Sequence, residues 1–293
     1  MTRTLAFLAA ILLTTLTVTT SCLANSPEDL RFTLRPSTGR SGDVTLQIRS
    51  GRDDRHNGMT SSFNSAELTG LDQSRLYSAG SVQFALIREA GRVDCGGNAS
   101  GRKAEGRCRF TPDQAFSNFL AANGMQRPDL EESYDMTLVG VHRDLVSALQ
   151  AARYPMPSID DYIALSAVGV TRAYIAELSR AGYRPKDIDD LVEFRAVGVT
   201  PAFLGALARA GYSNLPSEEV VQLAALDIDP EFIRGFERIG YRNLPVEKLV
   251  ELKALDITPE YVLRVRNSMM KNASLDQVVQ LKALGFSADQ IRR

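Results

Sequence analysis

The chain has 293 residues, of which 44% are hydrophobic and 24% charged, and its formal net charge is −1. That balance excludes nucleic-acid binding through a broadly basic face. With only three cysteines and two histidines, His56 and His142, far apart, no histidine-rich metal site can be built locally. HExxH, G-x-S-x-G, P-loop and dinucleotide motifs are absent.

Met1 to Val18 carries one charge, Arg3, followed by an apolar run from Leu5 to Val18. The run is too short to span a bilayer and reads as a secretory signal peptide covering residues 1–24. Cys22 and Ala24 fit the −3 and −1 places of a cut before Asn25. The alternative makes Cys22 a lipid-bearing first residue. "TTSC" supplies the small residues for this but lacks the leucine three places before the cysteine. Both readings place the protein outside the cytoplasm, periplasmic or extracellular, with or without a lipid anchor. No other stretch is apolar enough to span a membrane.

Residues 25–110 are expected to form a small β-rich unit. "LRFTLR" and "DVTLQIR" alternate with period two, as half-buried strands do. "SGRDDRHNG" reads as a polar loop, and "LDQSRLYSAG" as one short helix. "SVQFALIREAGRVDC" and "EGRCRF" read as strands joined by the turn "GGNASGRKAEG". Cys95 and Cys108 are an even pair in an exported chain and are expected to be disulfide-bonded, stapling that hairpin.

"TPDQAFSNFLAANGM" opens with Thr111-Pro112 and ends at Gly124, so residues 111–139 are expected to be a degenerate helical connector. From Gly140 to Arg293 one plan is rewritten at a fixed step. Gly169-Val170-Thr171 recurs as Gly198-Val199-Thr200, Asp227-Ile228-Asp229, Asp256-Ile257-Thr258 and Gly285-Phe286-Ser287, each 29 residues on, and Gly140-Val141-His142 fits one step earlier. Gly182-Tyr183, Gly211-Tyr212 and Gly240-Tyr241 keep the same step. Each copy reads as two short helices. The first is capped by Ser158, Asp187, Ser217 or Ser274 and carries a stripe such as Val220, Val221, Leu223 and Leu226. The second opens with Thr200-Pro201, Asp229-Pro230 or Thr258-Pro259 and ends at glycine, with tyrosine folding back on it. Ten-residue helix pairs are not stable alone, so the expected fold is α+β and mostly α: a disulfide-stapled β unit followed by a solenoid-like array of αα hairpins over 140–293.

Arg180, Arg209 and Arg238 recur in step and are candidates for a partner-binding surface. A cation in the last turn of a helix is also what the helix dipole favours. Carboxylate pairs such as Asp160-Asp161 and Asp189-Asp190 lie in first turns, where capping explains them. "SMMK", Ser268 to Lys271, matches a serine–lysine spacing but is read as lying inside a repeat helix without partner motifs.

"LVEFRAVGVTPAFLGALARAGY" and "LVELKALDITPEYV" resemble degenerate helical repeats of exported bacterial envelope proteins. Similar repeats follow the peptidase domain in some members of the β-lactam-sensor family of membrane zinc metallopeptidases. The resemblance covers about Gly140 to Arg293, and Thr-Pro and Gly-Tyr are its most specific parts. The chain lacks that family's membrane helices and HExxH, so peptidase activity does not carry over. The resemblance implies an envelope-located accessory or sensing module. The expected function is therefore a non-catalytic binding or regulatory module, without cofactor, that meets a protein or peptide partner. The alternative is an enzyme or small-molecule binder with a site near Asp53, His56 or Asp94, in the β unit or at its junction with the repeats.

Overall fold

A computed structural model describes residues 30–37, 42–50, 58–268 and 270–286. Seven strands come first: β1 (Leu30–Pro36), β2 (Asp43–Ser50), β3 (Gly58–Asn64), β4 (Leu68–Thr69), β5 (Gly80–Arg88), β6 (Gly91–Ser100) and β7 (Lys103–Pro112). They form one antiparallel sheet in the order β3-β2-β1-β7-β6-β5-β4. The alternation in β1 and β2 decides which face turns inward. Leu30, Phe32 and Leu34 are buried with Val44, Leu46 and Ile48, and Phe32 stands opposite Ile48 and Leu34 opposite Leu46. A slip of one residue would turn both sets outward. Phe32 and Phe84 lie on strands three steps apart in the sheet, yet their ring centroids are 5.0 Å apart. A flat sheet would hold them about 14 Å apart at its usual strand spacing, so the sheet curls around its own apolar face. Leu76, in a 3-10 turn over Gln73–Tyr77 where a short helix was expected, is fully buried in this core.

The hairpin of β6 and β7 corrects the sequence reading. "GGNASGRKAEG" is mostly strand, and the turn between the two strands is Gly101-Arg102, both at positive φ (59° and 65°). Cys95 and Cys108 face each other directly across these strands and form the disulfide.

Twelve helices follow among the described residues: α1 (Gln114–Ala122), α2 (Leu130–Val139), α3 (Arg143–Ala151), α4 (Ile159–Ala167), α5 (Arg172–Arg180), α6 (Ile188–Ala196), α7 (Pro201–Arg209), α8 (Ser217–Ala225), α9 (Pro230–Arg238), α10 (Val246–Ala254), α11 (Pro259–Arg266) and α12 (Leu275–Ala283). The first residues of α2, α4, α6, α8, α10 and α12 are each 29 apart, and so are those of α1, α3, α5, α7, α9 and α11. Helices two apart in sequence lie side by side: α2 on α4, α4 on α6, α6 on α8, α8 on α10, and likewise α3 on α5 and α7 on α9. The successive helices α6 and α7 meet at 88°.

Local chemistry places the helix ends. Thr171, Thr200, Asp229 and Thr258 accept a hydrogen bond from the third helical amide of α5, α7, α9 and α11. Ser158, Asp187 and Ser274 do the same for α4, α6 and α12. At the other end, Gly182 and Gly211 are left-handed, and Tyr183 and Tyr212 donate their amides back to Leu178 and Leu207 at 3.0 Å, which is a Schellman ending. Asp227 and Asp256 take the same left-handed conformation at φ 52° and 51°.

Three expectations are corrected here. α8 is capped by Pro216, with Ser217 already its first helical residue. Leu226 caps the end of α8 and is 36% exposed, while Val220 and Leu223 are buried. Thr111-Pro112 closes β7, and Asp113 caps α1. No single described helix is long and apolar enough to cross a membrane; α6 and α7 together reach the length and composition, but they are bent apart and bury Leu191, Phe194, Leu204 and Leu207 in the core.

Candidate functional site

Arg180, Arg209 and Arg238 lie exposed in the last turns of α5, α7 and α9, but their surroundings differ. Arg238 is tied to Glu231 at 2.9 Å. Arg180 borders an open cleft of about 580 Å³ together with Tyr174, Glu177, Arg195, Thr200 and Pro201. Arg209 extends past Gly205 on its own helix. The three share a helix position, and the sequence step that picked them out reflects helix termination as much as a common surface.

The tyrosines do more than fold back on their helices. The Tyr183 hydroxyl donates to the Leu215 carbonyl at 2.7 Å, and the Tyr212 hydroxyl to the Leu244 carbonyl at 2.6 Å. Each bond spans 32 residues and fixes one hairpin against the next. Burial pushes both phenols above their ordinary pKa. The third departs from the pattern. The Tyr241 hydroxyl is buried without a partner, while Arg266 stacks over its ring at 5.0 Å and donates to the equivalent carbonyl, that of Ala273, at 3.3 Å.

A second set of ties was missed in the sequence. Arg195 donates to the Gly169 carbonyl at 3.1 Å and lies over the Tyr174 ring at 5.2 Å. Lys253 donates to the Asp227 carbonyl at 2.9 Å and lies over Phe232 at 5.3 Å, and Lys282 lies over Tyr261 at 4.8 Å. The carbonyls belong to the left-handed residues that end α4 and α8, each two helices back, where the helix dipole is negative. The signal was present: "LVEFRA", "LVELKA" and "VVQLKA" place a cation in step.

The junction between sheet and helices is polar and paired. Glu89, in the turn between β5 and β6, accepts the Arg143 amide at 3.0 Å and lies 3.1 Å from His142 Nδ1. His142 occupies the cap position of α3 without capping it through its own side chain, so Glu89 supplies the missing acceptor from the sheet. The Tyr162 hydroxyl donates to the His142 carbonyl. Arg143 lies over Phe116 and Phe119 at 5.4 and 5.5 Å. Its Nε lies 3.8 Å from Glu89 and makes no hydrogen bond.

In the β unit, Asp94 is half exposed and paired with Arg92 at 2.7 Å, and Arg109 stands opposite it on β7. Asp53, His56 and Cys22 lie outside the described residues. Ser268 sits in the turn after α11, not inside a helix, and donates to Val265 at 2.5 Å. Among the described residues no three His, Cys, Asp or Glu side chains gather as metal ligands. No family model, curated protein or solved structure matches the chain.

Proposed function

We propose that the chain is an exported, non-catalytic binding module whose helices stack as a solenoid-like array of 29-residue αα hairpins and present that surface to a protein or peptide partner. The observation that carries this reading is the unbroken step of both helix series from α1 to α12. Such stacks expose long faces and have no single enclosed centre for chemistry, and binding is their usual work. The ties from Tyr183, Tyr212, Arg195 and Lys253 favour a stiff scaffold of this kind. Export is supported by the Cys95–Cys108 disulfide, since such bonds persist in oxidising compartments, and by the apolar leader at residues 5–18. The resemblance to repeats of envelope proteins points the same way.

The test is mild crosslinking of the chain in the cells that make it, followed by affinity capture and mass spectrometry. The same chain carrying Arg180→Glu, Arg209→Glu and Arg238→Glu is captured in parallel. One abundant partner from the envelope fraction, depleted severalfold by the triple change, is the expected result. Recovery of the chain from the cytoplasm with free thiols and no specific partner would overturn the reading.

A further inference from the structure

We propose that the partly exposed surface at Gly198, Phe203 and Ala224 binds a lysine or arginine side chain presented by the protein partner. The inference deepens the binding-module reading and rests on it for the source of the cation.

The chain's own repeats differ from one another at this place. Of the six helix endings that recur at 29-residue steps, five are followed by a described hairpin: Gly140, Gly169, Gly198, Asp227 and Asp256. Arg88 from β5 stands beside the first, with its guanidinium carbon 3.7 Å from where a side chain on Gly140 would begin. Arg195 covers Gly169, and Lys253 holds the Asp227 carbonyl. Lys282 lies over Tyr261 in the hairpin that follows Asp256. The middle position differs. Ala224 stands in step with Arg195, Lys253 and Lys282, and nothing lies within 4 Å of where a side chain on Gly198 would begin. Phe203, in step with Tyr174, Phe232 and Tyr261, is half-buried, and no described cation covers its ring. The neighbouring cations are committed: Arg195 reaches back to Gly169 and Lys253 to Asp227.

The elements that hold a cation elsewhere are thus retained without one of the chain's own. A carbonyl at the negative end of α6 offers a charge-assisted acceptor, and an aromatic face offers cation–π attraction. Gly198 is exposed, and Phe203 and Ala224 are partly so, so a side chain from outside can enter. An ammonium or guanidinium on a flexible stem fits; a bare apolar chain would leave the carbonyl unanswered.

The experiment is NMR titration of the isotope-labelled full chain with Nα-acetyl-arginine amide and Nα-acetyl-lysine amide, with Nα-acetyl-norleucine amide as control. The expected result is saturable shifts at the Val199 amide and Phe203 ring with Kd of about 1–10 mM, a scale fitting one such contact. Norleucine amide should produce none. Ala224→Lys, which installs the chain's own cation, should weaken the amides at least tenfold and raise Tm; Ala224→Ser should leave binding intact, and Phe203→Leu should weaken it even if Ala224→Lys fails to fold. Absence of saturable shifts, or equal shifts from norleucine amide, overturns the cation site. A partner captured equally by wild type and Ala224→Lys overturns this inference while the binding-module reading stands. Amide binding without any captured partner overturns the module reading and the partner as the source of the cation.

Discussion

At the scale of single residues, two tyrosines in the same sequence context should behave oppositely. Tyr212 donates to Leu244, so Tyr212→Phe leaves that carbonyl without its donor and should cost about 1 kcal/mol. Tyr241 buries a hydroxyl with no partner, so Tyr241→Phe should leave stability unchanged or raise it. Urea unfolding followed by circular dichroism measures both, and equal losses would contradict the assigned bonds. Asp135 on α2 gives a pH test. Partial withdrawal from water, then the like charges of Glu131, Asp129 and Asp160, push its carboxyl up to about 6. The folded chain therefore holds this proton more tightly than the unfolded chain, whose aspartate titrates near about 4. The group penalises the fold above pH 6, and the penalty fades as pH falls through about 6 towards about 4. Because the side chain still reaches solvent, the effect is small. Asp135→Asn should raise Tm slightly at pH 7 and flatten its dependence between pH 4 and 6; a steeper dependence would contradict this.

At the scale of elements, what is encoded locally was legible. Threonine or aspartate caps, proline at the first helical position and a left-handed residue past the last turn are decided within a few residues, so the helices fell where the step placed them. Gly211→Val should damage the end of α7, because a β-branched residue must then adopt φ 87°. A fall in Tm of several degrees is expected, and an unchanged melting curve would contradict the helix ending. The β6–β7 turn was misread for a nonlocal reason. Gly96-Gly97 looks like a turn, yet a side chain on Gly97 would begin 2.0 Å from the Glu105 carbonyl, and one on Gly106 opposite would begin 2.2 Å from the Gly96 carbonyl; Gly97 and Gly106 let the strands approach, which is glycine's other use in a sheet. Ser217 was misread because it is a good cap one residue too late, after a proline whose own geometry already starts the helix. The Glu89 cap of α3 was not legible either, since 54 residues separate donor and acceptor. Glu89→Ala should cost about 1 kcal/mol and speed amide exchange in the first turn of α3, while the far helices are unaffected. Uniform loss of protection would contradict a local cap.

At the scale of the whole molecule, the period was legible from sequence, whereas the strand order and the curl of the sheet were not, because they depend on contacts between distant segments. The extension of the step back to α1 was legible only as a degenerate half-repeat: its marker, Gly124-Met125, lacks the tyrosine, but Gln114 begins 29 residues before Arg143 all the same. Candidate site residues were harder to read than elements. The same step selects residues that terminate helices, tie hairpins together or face solvent, and only three-dimensional neighbours separate these roles.

The central claim is that the helical part is a stack of interchangeable 29-residue units. Deleting residues 188–216 removes one unit, α6 with α7, and leaves Asp187 as the cap directly before Ser217. The measurement is thermal unfolding of this chain beside one lacking residues 188–202. The 29-residue deletion should keep its helicity per residue and a cooperative transition, with Tm lowered modestly, while the 15-residue deletion should lose both. If the two deletions unfold alike, the helices are not a stack of equivalent units.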